Sequence, residues 1–144
     1  MIRKATKKDL PNLGEMATNI YSSPADILKG EFAEHLSGKE CAIFVKEVDG
    51  DIVGFAECSL RHDYVEGTST SPVGYFEGVF VLPEHRKKGF AKELLSACEE
   101  WAKKKGCAEF ASDCKFDNKA SQTFHLHAGF KEANKIVCFT KKLK

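Results

Sequence analysis

Apolar residues along this chain recur first at helical spacing, then in strand-like runs, then at helical spacing again, and each change of period marks an element. Ile2 to Ala5 reads as a short first strand. Thr6 then caps a helix, with Asp9 three residues on placing negative charge in its first turn. Leu10, Leu13, Met16, Ala17 and Ile20 form the apolar stripe of that helix. Ser23-Pro24 restarts the chain as a second helix, Ala25 to Leu36, which ends near Gly38.

The middle of the chain reads as strands. Cys41 to Val48 is apolar and rich in β-formers, Asp49-Gly50 is a two-residue hairpin signal, and Ile52 to Arg61 returns as the partner. His62 to Pro72 is polar and reads as a loop, and Val73 to Leu82 is a third long strand closed by Pro83. Helical spacing returns over Gly89 to Lys104, where Phe90, Ala91, Leu94, Leu95, Ala97, Cys98 and Trp101 share one face. Gly106 breaks this helix. Cys107 to Ser112 follows as a short buried strand, Asn118 to His127 as a last helix, and Phe130 to Lys142 as one or two final strands. A β-meander followed by strand–helix–strand units predicts a mixed α/β or α+β sheet with helices on both faces.

Composition narrows the function classes. The 144 residues are a single-domain length, and 42% apolar with 30% charged residues is the balance of a globular chain. A net charge of +1 offers no general attraction to nucleic acid or an anionic membrane. No basic surface interleaved with aromatics suggests nucleic-acid binding, and neither a leader-like nor a membrane-spanning apolar run is visible. Six cysteines, Cys41, Cys58, Cys98, Cys107, Cys114 and Cys138, include no C-x-x-C pair, and several lie in apolar stretches. They are expected to be buried or partly buried free thiols in a reducing, cytoplasmic setting. The histidines lack zinc-ligand spacing, so no metal is expected.

The chemistry concentrates after the third long strand. Val79 to Pro83 ends the strand, and Glu84-His85-Arg86-Lys87-Lys88-Gly89 forms a basic turn leading directly into an amphipathic helix. Such a turn is an anion cradle: backbone N–H groups at the helix start lack internal partners, and the helix dipole favours negative charge there. Gly89 lets a phosphate approach the backbone, Ala91 keeps the following turn narrow, and Arg86, Lys87 and Lys88 add positive charge.

Arg86-x-x-Gly89-x-Ala91, in that context, resembles the Q/R-x-x-G-x-G/A signature of the GNAT acetyltransferase superfamily. The resemblance implies that Arg86 to Ala91, with Phe90 among them, bind the pyrophosphate of acetyl-CoA. It implies a twisted, mostly antiparallel sheet of about six to seven strands with about four helices on both faces. Asn118-Lys-Ala-Ser121-Gln-Thr-Phe124-His125-Leu-His-Ala-Gly129-Phe130 is similar to a second GNAT segment, and implies that Asn118 and Ser121 approach the coenzyme. His125 stands where many relatives carry a tyrosine that protonates the leaving thiolate. An imidazole there either takes that role or only touches the coenzyme. His127 is expected at the surface.

A narrower resemblance, to the aminoglycoside 6'-N-acetyltransferases, is carried by Arg61 to Gly67, Ser71-Pro72-Val73, Phe76 to Pro83 and Glu109 to Asp113. It implies a polycationic acceptor bound by Glu77 and Asp113, with Asp113 positioning or deprotonating the 6'-amine. Tyr64 and Tyr21 are candidates to pack against sugar rings. Where relatives can carry another acid this chain has Asn134, which would weaken cation binding. Family members are often dimeric, and Ile136 to Phe139 are candidates to pair across an interface. The expected route is direct transfer in a ternary complex, with a backbone N–H of the Val79–Val81 strand polarising the acetyl carbonyl. Glu77 or Asp113 would take the amine's proton. Two other readings compete: a GNAT enzyme for another small amine, polyamine or peptide, and a non-catalytic acyl-CoA sensor.

Overall fold

The computed structural model describes residues 1–144. Strand β1 is Ile2–Lys4, and a 3-10 turn at Lys7–Asp9 leads into helix α1, Leu10–Ala17. Asp9 does more than cap. Its carboxylate accepts from the Thr6 N–H at 2.7 Å and takes a two-pronged bond from Arg3 at 2.8 and 3.0 Å, which holds it below the usual carboxylate range. The first strand and the first helix are thereby tied together through one buried acid. The predicted helix runs too far: Ile20 lies outside α1 and is exposed. The Thr18 hydroxyl and the Asn19 amide bond back to the carbonyls of Glu15 and Met16, so polar side chains wind the helix into a turn there.

Helix α2 is Ala25–Ser37, and strands β2 (Cys41–Val48), β3 (Asp51–Arg61) and β4 (Val73–Val81) form the expected meander. Helix α3 is Phe90–Lys104, β5 is Phe110–Ser112 and α4 is Lys119–His127. The sheet has five strands in the order β1-β2-β3-β4-β5, antiparallel except for the last pair. Two apolar layers sandwich it. Leu13, Phe32, Ile43, Phe55 and Phe80 lie between the sheet and α1–α2, and Ala56, Phe76, Leu94, Cys98 and Trp101 lie under α3.

One irregularity organises the functional end. Glu57 pairs with Gly78 but the next residue, Cys58, pairs with Phe76, so Glu77 is an extra residue in β4. This β-bulge explains why Phe76 and Phe80, four apart and therefore on one face of a regular strand, fill opposite layers. Beyond the bulge β4 also loses its other neighbour. It pairs in parallel with β5 only over Gly74–Phe110, Tyr75–Ala111 and Phe76–Ser112, so from Glu77 to Val81 that edge is open.

The end of the chain departs from expectation. Strand β5 starts at Phe110, not Cys107, and is half-buried. Glu109 instead anchors the loop before β4, accepting the N–H groups of Ser69 and Thr70, each at 2.9 Å. The one or two strands expected over Phe130 to Lys142 do not form, and Ile136, Val137 and Phe139 are exposed. A strand exists only by pairing, and the only edge near the tail is the three-residue β5. Cys138 is consequently exposed, against expectation, while the other cysteines are buried or half-buried, and all six are free thiols. No helix is long and apolar enough to cross a membrane.

Candidate active site

The basic turn is built as its sequence suggested. Pro83–His85 forms a 3-10 turn, Arg86 donates from Nε to the Val81 carbonyl at 2.7 Å, and the chain then enters α3 through Gly89. Gly89 caps the helix at φ +83°, a left-handed conformation that a side chain would strain. The backbone N–H groups of Lys87 to Lys92 find no acceptor within the protein. They form a contiguous row of donors at the positive end of a 15-residue helix. Such a row fits a diphosphate, whose oxygens are acceptors only. Lys87, Lys88 and Arg86 are exposed around it, while Arg86 is tied to the strand and its guanidinium lies 5.3 Å from the Phe80 ring centre. Phe90 and Ala91 are half-buried in the first turn of α3 and support the cradle from beneath. Val79 and Val81 flank the open edge of β4 that leads away from it.

The acids lie on the α1–α2 side of the bulge. Glu77 accepts from the Ser59 hydroxyl at 2.5 Å and from Arg61 at 3.0 Å. Arg61 stacks at 3.5 Å over the ring of Tyr75, and the Tyr75 hydroxyl donates to Asp113 Oδ2. Glu77 and Asp113 therefore stand at the two ends of one chain of contacts, with an arginine and a tyrosine between them. Burial raises the Tyr75 hydroxyl well above the usual tyrosine range, and its bond to Asp113 raises it further. It is thus a fixed donor. Asp113 Oδ1 is left without a protein partner.

A cavity of about 730 Å³ opens at this place, and Tyr64, Asp113, His125 and Asn134 all line it. Tyr64 is exposed on the loop, its hydroxyl accepting from the Gly67 N–H at 3.3 Å. Asn134 donates to Glu66 at 3.0 Å across the same opening. His125 is held on α4 by both ring nitrogens: Nδ1 lies 2.7 Å from the Ser121 carbonyl, and Nε2 lies 2.8 Å from the Ser112 hydroxyl. Asn118 caps α4 by accepting the Ser121 N–H at 3.1 Å. His127 is exposed, as expected.

Tyr21 stands apart from the cavity. Its hydroxyl donates to Glu57 at 3.1 Å, on the far side of Glu77. Sequence reasoning missed Glu57, Arg61 and Tyr75. Glu57 sits within Ala56-Glu57-Cys58, and a lone acid between two apolar residues of a predicted strand was the available signal. Arg61 and Tyr75 carried no local signal, since their meaning depends on the pairing of β3 with β4.

The arrangement combines an anion cradle, an open strand edge with free backbone donors and acceptors, and a carboxylate-lined cleft. It can hold a phosphorylated carrier on one side and a cationic group on the other, and place a carboxylate where a proton must be removed.

Comparison with known proteins agrees with this geometry. Residues 10–130 match the sequence profile of the Acetyltransferase (GNAT) family. An aminoglycoside N(6')-acetyltransferase type 1 of Salmonella enteritidis is 37% identical over 142 residues, covering 98% of each chain. The apo crystal structure of the aminoglycoside 6'-N-acetyltransferase AAC(6')-IG from Acinetobacter haemolyticus superposes with a TM-score of 0.94 at 37% identity, covering 100% of this chain and 99% of the other. AAC(6')-Iy, solved with the bisubstrate analogue CoA-S-monomethyl-acetylneamine, superposes with a TM-score of 0.93 at 37% identity, covering 99% and 97%.

Proposed function

This chain belongs to the GNAT acetyltransferase family, and from that premise we propose that it transfers the acetyl group of acetyl-CoA to the 6'-amine of aminoglycosides. It is an acetyl-CoA-dependent N-acetyltransferase. The observation that carries the acceptor assignment is the linked array Glu77–Arg61–Tyr75–Asp113, of which Arg61, Tyr75 and Asp113 line the large cavity. Aminoglycosides are polycations, and carboxylates lining a cleft are what their ammonium groups require whatever the net charge of the protein.

Acetyl-CoA supplies an activated acetyl thioester. The unpartnered N–H groups of Lys87 to Lys92 hold its pyrophosphate, with Lys87 and Lys88 adding charge and Arg86 fixing the turn against β4. The free edge around Val79 and Val81 supplies backbone donors to the carbonyl as negative charge develops on its oxygen. Asn118 and Ser121 shape the first turn of α4, where they approach the coenzyme.

The acceptor amine arrives protonated and must lose a proton before it attacks. Asp113 takes that proton at Oδ1, the oxygen that the Tyr75 bond leaves free. Glu77 binds a second ammonium group of the acceptor in exchange for Arg61, which closes the site electrostatically while it is empty of cations. Tyr64 offers an exposed aromatic face at the cavity mouth for a sugar ring. His125 supplies the proton that a departing thiolate needs. It must release Ser112 to do so, because both of its nitrogens are engaged.

We propose further that the chain forms a homodimer. The tail beyond Phe130 exposes Ile136, Val137 and Phe139, β5 is an edge strand, and a second copy provides the strand partner that one chain lacks. Six free thiols suit a cytoplasmic setting. Sedimentation is expected to give a dimer for the full chain and a monomer for Phe139→Asp.

Release of free thiol from acetyl-CoA tests the activity. Turnover is expected with a 6'-amino aminoglycoside such as kanamycin, and none with its 6'-hydroxyl counterpart. Retained binding of acetyl-CoA with no turnover on either compound would sink the acceptor assignment.

A further inference from the structure

A neutral histidine carries one ring proton, and the bonds of His125 say where it sits. Nδ1 lies 2.7 Å from the Ser121 carbonyl oxygen, which can only accept, so the proton is on Nδ1. Nε2 is left with a lone pair, and its neighbour at 2.8 Å is the Ser112 hydroxyl. That hydroxyl has one proton and two acceptors in reach. The Phe76 carbonyl is the farther of them, at 3.2 Å, so the proton goes to the imidazole. Phe130 packs against the ring, 5.0 Å away between centres, and holds it in place. A hydroxyl, an imidazole base and a group that orients the base thus stand in line, which is the arrangement that activates a serine as a nucleophile.

The place of this pair in the fold decides what it can meet. Ser112 ends β5 and makes, with Phe76, the last pair before β4 and β5 part. It is half-buried, and Ser112, Asp113 and His125 all line the cavity of about 730 Å³. The free edge of β4, assigned above to the acetyl carbonyl, begins one residue beyond Phe76. The two neighbours at the end of β5 have separate partners: the Tyr75 hydroxyl bonds to Asp113, and His125 bonds to Ser112. Ser121 also lies near the ring, but 3.3 Å from Nδ1, the nitrogen that already bears the proton. Cys114 lines the same cavity as a free thiol without a bonded base.

We infer that Ser112 and His125 give the cleft a second activity, the hydrolysis of small acyl thioesters when no amine is bound. Ser112 Oγ attacks the acyl carbonyl, and its proton passes to His125 Nε2. Nε2 gives that proton to the departing thiolate as the carbon–sulfur bond breaks, which leaves an acetyl ester on Ser112. Water then attacks the ester, one of its protons passes through Nε2 to Oγ, and acetic acid leaves. Acetyl-CoA and water are thereby converted to acetic acid and CoA, with Ser112 and His125 restored. A bound amine intercepts the thioester by direct attack, so the hydrolysis belongs to the enzyme without its acceptor. The inference uses the acetyl-CoA chemistry of the family and is independent of which amine is acetylated.

The test uses the full-length enzyme without any amine, one sample with a fluorophosphonate, which bonds to activated serines, and another with acetyl-CoA. Fragment-ion sequencing is expected to place one phosphonyl group on Ser112 of the wild type, and none on that peptide of Ser112→Ala or His125→Gln. Release of CoA thiol from acetyl-CoA alone is expected to fall at least about tenfold in both variants. Calorimetric titration of acetyl-CoA selects the variants that still bind the coenzyme as the wild type does. A wild type that carries no label on Ser112 overturns the inference and needs no variant. So does full labelling of Ser112 in a coenzyme-binding His125→Gln, because the serine would then owe nothing to the base. Thiol release that is unchanged in Ser112→Ala, or an acetyl group found on Cys114 in place of Ser112, overturns it as well.

Discussion

The coenzyme turn and the acceptor cleft lie on the two sides of one bulged strand and are made of different materials. The turn is made of backbone: consecutive N–H groups from Lys87 to Lys92, presented by a glycine-entered helix. The cleft is made of side chains borrowed from β3, from Tyr75 and the bulge residue Glu77 of β4, and from the residue after β5. A backbone site tolerates most substitutions that preserve its dihedral angles, whereas a side-chain site can be lost by exchanging one atom. The two halves of the reaction should therefore separate cleanly in kinetics.

The largest expected effect is Asp113→Asn. It keeps the shape and the Tyr75 contact but removes the base, and should lower kcat/KM for the acceptor by about 100- to 1,000-fold. The acetyl-CoA KM should not move. A rise in the acetyl-CoA KM would break the separation by showing that Asp113 also shapes the coenzyme side.

Gly89→Val is the counterpart in the turn. Nothing in the protein lies within 4 Å of where its Cβ would sit, so crowding of that atom against the protein is not the cause of a loss. The φ of +83° is the cause: a β-branched residue there costs on the order of 1–3 kcal/mol and pulls the row of N–H groups out of line. The acetyl-CoA KM is expected to rise about tenfold with the acceptor KM unchanged. Calorimetric titration of acetyl-CoA alone checks the same point without turnover.

This division also decides what could be read in the sequence. The turn is contiguous, so Arg86, Gly89 and Ala91 announced it, and the meander and α3 followed from period and hairpin chemistry. In the cleft, Glu77 and Asp113 were legible only through resemblance, and Arg61 and Tyr75 not at all. Their roles depend on Arg61 meeting Tyr75 across the β3–β4 pair, which the bulge at Glu77 shifts by one residue. No local pattern encodes that shift. The final strands were predicted from β-forming residues that the structure leaves exposed, because propensity names a strand but only an edge makes one.

A middle-sized effect sharpens the acceptor side. Glu77→Gln frees Arg61 from its carboxylate and leaves a cation in a cleft meant for cations. The aminoglycoside KM should rise about tenfold, more than loss of one ion pair at a half-exposed site would give. Removing the arginine as well, in Arg61→Gln with Glu77→Gln, should recover part of the loss, and a double-mutant cycle on KM measures the coupling. Independent effects would show that Arg61 does not compete for the Glu77 subsite.

The smallest effect tests the claim that the turn is a backbone site. Lys87 and Lys88 are exposed, so their charges act through water and are screened by salt. Glutamine is the informative replacement, because Lys87 sits at φ +62° and glutamine carries the same backbone strain as lysine there. In Lys87→Gln with Lys88→Gln the acetyl-CoA KM should rise only about two- to fivefold at low ionic strength. The gap from wild type should close at about 0.5 M salt, where the Debye length falls to about 4–5 Å. The part of the affinity that survives salt belongs to the N–H groups, which no side-chain exchange removes. A loss that persists at high salt and exceeds that of Gly89→Val would mean that the lysines, and not the helix start, hold the anion.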